Sequence, residues 1–318
     1  ATASVDSGFR GVAVSASTKD DIETAAISVG GGGSVGVAVG AAVNVLNTTT
    51  TALIGEGARI NQDMSGGGNG AQSVLVAAAS DFSHLGVGAG AAFGGSAAAA
   101  PAVDVSVVTT KTTATIGDDT LVDANNDVAV IATAKEKVLV VSAGLALSGT
   151  VSLAGGVSVV SIDADTFARI GDSTVEAGGD VAVMAKDDSQ FTIVSGAVAI
   201  GLSGGGAAGS VGVVNVTKDT EATIGANATI DARANGAGIA NVLNGNIATS
   251  GGDPTGFSTL SGEAHGVIVQ AQSSEVVTHI AVAGAGGLYV GIAGAVSQLS
   301  TSSGRCRPRA GSLRQRGQ

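Results

Sequence analysis

The chain has 318 residues, of which 44% are hydrophobic but only 2% aromatic, a composition that argues against both an intrinsically disordered chain and a thick globular core. Its 51 glycines and single cysteine indicate thin, closely stacked β-layers of Val, Ile, Leu and Ala that do not depend on disulfides. Residues 1–304 hold 10 basic and 26 acidic residues, a net charge of −16, which disfavours nucleic acid and anionic membrane surfaces as partners.

Two short patterns return along the chain. The pattern apolar-x-Val-x-Ala begins at Val12, Val74, Val128, Val181 and Val267. The pattern Ala-x-Ile-Gly ends at Gly55, Gly117, Gly171 and Gly225, at intervals of 62, 54 and 54 residues. This spacing predicts about five tandem repeats of ~54 residues, each of which buries its hydrophobic face against its neighbours.

The segments between these landmarks alternate with a period of two. One face carries Val35, Val37, Val39, Val43 and Val45, and the other carries Gly36, Ala38, Gly40, Ala42 and Asn44. A row of β-branched residues opposite a row of small residues is typical of a strand. With strands of five to nine residues, each repeat is expected to supply two or three rungs of a parallel solenoid. Because residues 30–33 form a glycine turn between matched strands, a solenoid with one antiparallel hairpin per repeat is the alternative.

The chain divides into two parts. Residues 1–303 are predicted to be a single β-solenoid segment, and because residue 1 lies inside a repeat, we expect this segment to belong to a longer chain. Residues 304–318 contain Cys306 and five arginines and break the repeat, so they are predicted to be a disordered, non-native basic tail.

One corner of the repeat varies in length. The interval from the Ile-Gly landmark to the next Val-x-Val pattern is 10 or 11 residues in the two regular cases, but 19 after Gly55 and 42 after Gly225. Insertions in solenoids lie on one face, which is often where partners bind. We therefore expect residues 234–265 to form a protruding loop that contacts a partner. Its candidate contact residues are Asn244, Asp253, Phe257 and Glu263.

No catalytic, cofactor-binding or metal-binding set is predicted. The three histidines, His84, His265 and His279, lie at different places in the repeat without a second ligand at metal-binding spacing. Acidic residues that include Asp118, Asp172 and Asp187 could supply weak calcium ligands, but acidic corners facing water are the favoured interpretation. The chain is therefore predicted not to be an enzyme.

These motifs, with a Thr-rich approach to Ala-x-Ile-Gly and a Gly-Gly-Asp turn at residues 178–180, resemble the repeats of large bacterial surface adhesins. These are the filamentous haemagglutinin-like proteins, leukotoxin-type filamentous adhesins and autotransporter passengers. The resemblance covers about residues 9–303. It implies a right-handed parallel β-helix, export to the bacterial cell surface or beyond, and a role in adhesion or as a stalk.

The predicted function is thus a structural and adhesive repeat segment of a large secreted or cell-surface bacterial protein involved in virulence. Its expected partners are a host cell-surface protein or glycan and the remainder of its own long chain. No nucleic acid and no membrane insertion are expected. The alternatives are a β-helical polysaccharide-active enzyme and a membrane-active toxin segment.

Overall fold

The structure is a computed structural model that describes residues 8–62, 68–250, 253–303 and 312–314. These residues contain no helix that is long and apolar enough to span a membrane. The strands in chain order are β1 (Arg10–Gly32), β2 (Val35–Val37), β3 (Gly40–Ile54), β4 (Arg59–Ile60), β5 (Gln72–Gly94), β6 (Ala97–Ile116), β7 (Leu121–Ala124), β8 (Val128–Ser148), β9 (Val151–Ile170), β10 (Thr174–Ala177), β11 (Val181–Gly201), β12 (Gly205–Ile224), β13 (Thr229–Ala232), β14 (Leu243–Ser250), β15 (Asp253–Thr259), β16 (Val267–Gly287), β17 (Val290–Ser303) and β18 (Ser312–Arg314).

Three parallel sheets contain all of these strands except β14 and β15. Sheet 1 has the order β1-β5-β8-β11-β16, sheet 2 has β17-β12-β9-β6 followed by β2 and β3, and sheet 3 has β18-β13-β10-β7-β4. One strand from each sheet makes up a rung, so that β8, β9 and β10 form the third rung. The prediction of an all-β protein with stacked parallel strands, compatible with a solenoid, is confirmed.

The sequence landmarks stack directly on one another. Val74 pairs with Val12 on one side and Val128 on the other, and Val181 pairs with both Val128 and Val267. The isoleucines of Ala-x-Ile-Gly are also in register, from Ile54 through to Ile224 on sheet 2. Each landmark thus occupies one position in the cross-section, which explains why its residue type recurs.

Two finer expectations are wrong. The strands are much longer than five to nine residues, since β8 has 21 and β9 has 20, so that one repeat makes one rung rather than two or three. Nor is there a hairpin in each repeat: β8 and β9 flank a glycine turn, yet each pairs in parallel with the neighbouring rungs. The turn places the two strands face to face across the core instead of edge to edge. Within the described residues, the only antiparallel ladder is β14 with β15.

The interior consists of layers that follow one another along the strands. At the corner where the three sheets meet, Val, Ile and Ala residues such as Val130, Ile170 and Val175 form the first aliphatic layer. A second layer of large side chains, including Phe82 and Phe191, lies halfway along sheets 1 and 2. The third layer, beside the glycine turns, is built almost wholly of alanine, as at Ala146 and Ala199. Polar side chains fill the spaces between these layers.

Near the glycine turns, sheets 1 and 2 are so close that backbone meets backbone. A Cβ added to Gly144 would overlap the carbonyl oxygens of Ala100 and Gly155, and one added to Gly156 would overlap that of Gly196. Because only small residues fit inside, the valines of the alternating pattern point outwards. Val35 is 60% exposed and Val43 is 70% exposed, whereas Gly36 and Ala42 are buried. The larger side chains of this region therefore line the outer surface.

Part of the basic tail continues the fold. β18 lies in parallel beside β13, with Ser312 opposite Thr229 and Leu313 opposite Ile230. Cys306 and the other residues of 304–311 and 315–318 lie outside the described residues.

Candidate functional site

The long insertion after β13 folds as a hairpin over sheet 1. β14 and β15 pair in antiparallel fashion, and an isolated bridge between Ile239 and Ala264 closes the foot of the insertion. The backbone N–H of Leu243 donates a hydrogen bond of 2.9 Å to Oε1 of Gln270, on the outer face of β16. The described residues of the insertion are thus tied to the solenoid at both the foot and the side of the hairpin.

A groove separates this hairpin from the solenoid. The cavity has a volume of about 390 Å³ and is lined on the hairpin side by Leu243 and Phe257 and on the sheet side by Ile131, Met184 and Lys186. The rest of its lining is partly polar and includes Thr133, Asn241 and Gln270, and such a mixture of aliphatic, aromatic and polar side chains can hold a small ligand or a protruding side chain.

The four predicted contact residues do not form one cluster. Phe257 lines the groove, while Asn244 is exposed and donates a hydrogen bond of 3.1 Å from Nδ2 to the carbonyl oxygen of Thr259. Asp253 pairs through its backbone with Ser250 at the far end of the hairpin, about 20 Å of strand from Asn244. Glu263 lies at the foot beside Gly238. Of Asn244, Phe257 and Glu263, whose side chains the structure describes, Phe257 alone lines the groove.

Sequence reasoning missed the sheet side of the groove. Ile131, Met184 and Gln270 occupy the same position on three successive rungs, where the first two rungs carry Ser15 and Ala77. Aligning the repeats on Val-x-Val-x-Ala would have revealed this column, because large side chains replace small ones only in the rungs that the hairpin covers.

A second groove lies on the outer face of sheet 2, near the corner. Its volume is about 540 Å³, and its lining includes Lys111, Phe167, Arg169 and Glu221. The Lys111 ammonium lies 5.7 Å from the centre of the Phe167 ring, and a guanidinium nitrogen of Arg169 lies 3.3 Å from Asp118. An aromatic ring bordered by charges of both signs can contact a polar, ring-shaped ligand such as a sugar.

The acidic corners hold successive rungs together. Asp118 Oδ1 accepts the backbone N–H of Asp172 at 2.8 Å, and Asp127 Oδ1 accepts that of Asp180 at the same distance. Asp180 in turn accepts the N–H of Gly266, at the point where the insertion ends. These carboxylates cap backbone groups on the next rung. Among the described residues, no three His, Cys, Asp or Glu side chains are grouped as metal ligands would be.

Charged residues are also buried inside the fourth rung. Lys218 on β12 forms an ion pair with Asp187 on β11, and the two side chains are 1% and 0% exposed. The Lys218 ammonium also donates to Ser189 Oγ at 2.8 Å and to the carbonyl oxygen of Ser274 at 3.0 Å. Ser189 Oγ lies 2.9 Å from Glu136 Oε2 on the third rung. This network joins three rungs through the interior.

Glu136 has an unusual protonation equilibrium. Burial, reinforced by the negative charge of Asp187, raises its pKa from 4.5 to about 8. The folded protein therefore holds this proton at neutral pH, whereas the unfolded chain releases it near pH 4.5. Between these two values the folded state binds more protons, so stability falls as the pH rises through the window.

A buried histidine cluster lies nearer the glycine turns. His84 Nε2 is 3.3 Å from Ser106 Oγ, but Asp104 accepts a hydrogen bond from Ser106 at 2.8 Å, and His84 Nδ1 faces the carbonyl oxygen of Ile22. The carboxylate thus contacts the serine and does not orient the imidazole, as a nucleophilic triad would require. Because the three side chains are at most 2% exposed, this Ser, His and Asp set packs the interior.

The other histidines are separate from this cluster. His265 lies 3.8 Å from Asp180 at the foot of the insertion, and His279 on β16 hydrogen-bonds Ser297 at 2.9 Å. Partial burial lowers the pKa of His279. The structure therefore places the three histidines in three different surroundings.

Comparison with known proteins does not add to this geometry. No protein-family model, no curated protein and no solved structure matches the chain.

Proposed function

We propose that this chain is a structural and adhesive repeat segment of a large secreted or cell-surface bacterial protein, with the insertion as its contact surface. The observation that carries the proposal is the hairpin β14–β15, tied by Gln270 over a groove that continues onto sheet 1. A regular array with one decorated corner is the usual arrangement in solenoids that bind partners.

The architecture in this proposal is a right-handed solenoid of about five tandem repeats of ~54 residues. Parallel strands joined by crossovers are nearly always right-handed, because a right-twisted strand packs back onto its sheet in that hand. The in-register stacking of the Val-x-Val and Ile-Gly landmarks supports equal repeats. Such a rod keeps its length without disulfides, as a stalk at a cell surface requires.

The proposed partner is a host cell-surface protein or glycan that reaches into the groove. The apolar lining residues Phe257, Leu243 and Met184 suit an aromatic or aliphatic group of the partner, while Lys186 in the same lining offers a positive charge. The acidic net charge of the chain favours a neutral or basic partner over an anionic one.

Deleting most of the insertion tests the proposal directly. Residues 236–262 are deleted, and attachment to host cells and to immobilised glycans is compared with that of the intact chain. We expect deletion and Phe257→Ala to reduce attachment, while Leu260→Ala, an exposed residue outside the groove lining, leaves it unchanged. Unchanged attachment after deletion would overturn the proposed contact surface, provided that circular dichroism shows an intact solenoid.

A polysaccharide-active enzyme is the second candidate, and the groove on sheet 2 is the observation that favours it. Phe167 offers a ring on which a sugar can stack, and Glu221 in the same lining offers a carboxyl group for acid or base catalysis. The test is to incubate the protein with neutral and acidic glycans and measure new reducing ends. Release that is lost in Glu221→Gln would support this candidate, and no release would remove it.

A further inference from the structure

The outer surface near the glycine turns is apolar over a long stretch of sheet 2. We call this surface the apolar margin: its residues are 35–45, 97–107, 151–159, 205–213 and 290–296. Every outward position in it is Gly, Ala, Val, Leu, Ile or Pro. The charged side chain of Asp104 within these ranges points inwards and is 0% exposed. Leu153 is 58% exposed and Val37 is also 58% exposed, so large side chains stand free in solvent.

The polarity of this region is the reverse of that of an ordinary solvated sheet. Inward positions are Gly, Ala and Ser apart from Asn44 and Asp104, and the larger aliphatic residues face outwards, because the two sheets are too close for large apolar side chains between them. A contiguous apolar patch of several hundred square ångströms marks an interaction surface. The margin therefore needs a partner that offers an apolar face of its own.

We propose that the apolar margin of sheet 2 binds the same margin of a second copy of this chain. The five stretches contain 47 residues in all, and with about 3.3 Å per residue and about 4.8 Å between strands they cover about 740 Å². A standard protein–protein interface buries roughly 800 Å² on each partner. Measured in the same way, the margin on sheet 1 contains 39 residues and covers roughly 620 Å², which is smaller.

The shape of the apolar margin is complementary to that of the same margin on a second copy. A ridge of valines crosses four strands, and beside it Gly155, Gly209 and Gly294 form a groove; the ridge consists of Val103, Val157, Val211 and Val296. A ridge from a second copy can enter this groove, as in sheet-on-sheet packing. In the proposed dimer, a two-fold axis parallel to the direction in which the rungs stack relates the two copies. The second copy then presents the same ridge and groove, and its glycine turns point in the opposite direction.

The charge distribution favours this orientation. The outward acidic residues of sheet 2, including Asp163, Asp165 and Asp219, lie on the half of the strands away from the glycine turns. With the turns pointing in opposite directions, the two acidic halves lie at opposite ends of the dimer, which keeps their mutual repulsion small. Higher salt is therefore expected to leave the dimer intact or to strengthen it.

Solution mass tests the proposal, with a matched control on the opposite sheet. Light scattering on the eluting protein is expected to give a dimer for the intact chain. Leu153→Asp with Val211→Asp places two unpaired carboxylates in the interface and is expected to raise the dimer Kd at least about 100-fold. Leu145→Asp with Val198→Asp makes the same change at exposed positions of sheet 1, each 41% exposed, and is expected to leave the dimer unchanged.

Spin labels test the orientation, with Cys306 replaced by Ser. A label at Gly209→Cys, in the groove, is expected within about 20 Å of its counterpart, and one at Thr217→Cys about 50 Å away. Short distances for both labels would overturn the orientation.

A monomeric mass for the intact chain would overturn the proposed dimer. The proposal would also be wrong if the sheet 1 variant lowered the mass and the sheet 2 variant did not. Flotation of the intact chain with phosphatidylcholine vesicles, lost in the sheet 2 variant, would assign the margin to lipid instead.

Discussion

The buried ion pair of the fourth rung makes a sharp prediction about stability. Lys218→Met removes the cation and keeps most of the side-chain volume. It leaves Asp187 as a charge that is 0% exposed, with hydrogen bonds from Thr166 at 3.2 Å and Ser189 at 2.8 Å as its remaining support. The carbonyl oxygen of Ser274 on the next rung also loses its donor.

The expected cost follows from this burial. Breaking a buried ion pair by removing one partner destabilises a protein by about 3–5 kcal/mol, because the remaining charge stays unpaired. Replacing both partners by apolar residues is often neutral or better. We therefore expect Lys218→Met with Asp187→Leu to be more stable than Lys218→Met alone by about 2 kcal/mol or more. The third rung already carries Ala134 and Ala164 at the two equivalent positions.

Hydrogen exchange is the appropriate assay, because each rung of a solenoid contacts only its neighbours. Peptides from β11, β12 and β16 should lose protection in Lys218→Met and regain much of it in the double variant, while β5 changes little. Arg233→Met is the control: its ion pair with Glu176 is 3.7 Å long and half exposed, so solvent screening limits its effect to less than about 1 kcal/mol. Unchanged protection in Lys218→Met, or a double variant no better than the single one, would refute this reasoning.

Three further predictions concern the interior. Between pH 4.5 and 8 the free energy of unfolding of the intact chain should fall by about 4 kcal/mol because of Glu136, and Glu136→Gln should abolish this fall. Urea unfolding at a series of pH values measures it, and parallel plots of unfolding free energy against pH for the two proteins would contradict the raised pKa. Gly156→Ala should destabilise by about 1–3 kcal/mol because its Cβ meets backbone, whereas Gly196→Ala, whose added Cβ would lie 3.8 Å from the nearest atom, should melt like the parent. Thr112→Val should be neutral or stabilising because the buried Thr112 hydroxyl has no hydrogen-bond partner, whereas Thr166→Val loses a bond to Asp187 and should cost about 1–2 kcal/mol; equal unfolding midpoints would argue against this difference.

The sequence predicts where in the repeat the candidate site lies, but not which residues form it. Unequal intervals after Gly225 identify the inserted corner, because an insertion changes spacing directly. Which insertion residue faces the groove depends on how the hairpin folds back. The column of Ile131 and Met184 is visible only when the repeats are aligned at the true register.

By itself the sequence determined that the chain repeats, that its elements are strands, and that Val128 and Val181 occupy equivalent positions, because local alternation and spacing carry that information. Only the tertiary structure decided that each repeat is a single long rung and that Val35 and Val43 face outwards. Alternation separates two faces of a strand but does not say which is the inside. The short distance between sheets 1 and 2 decides which face is inside, because only small residues fit between them. That distance depends on contacts between residues that are far apart in the chain.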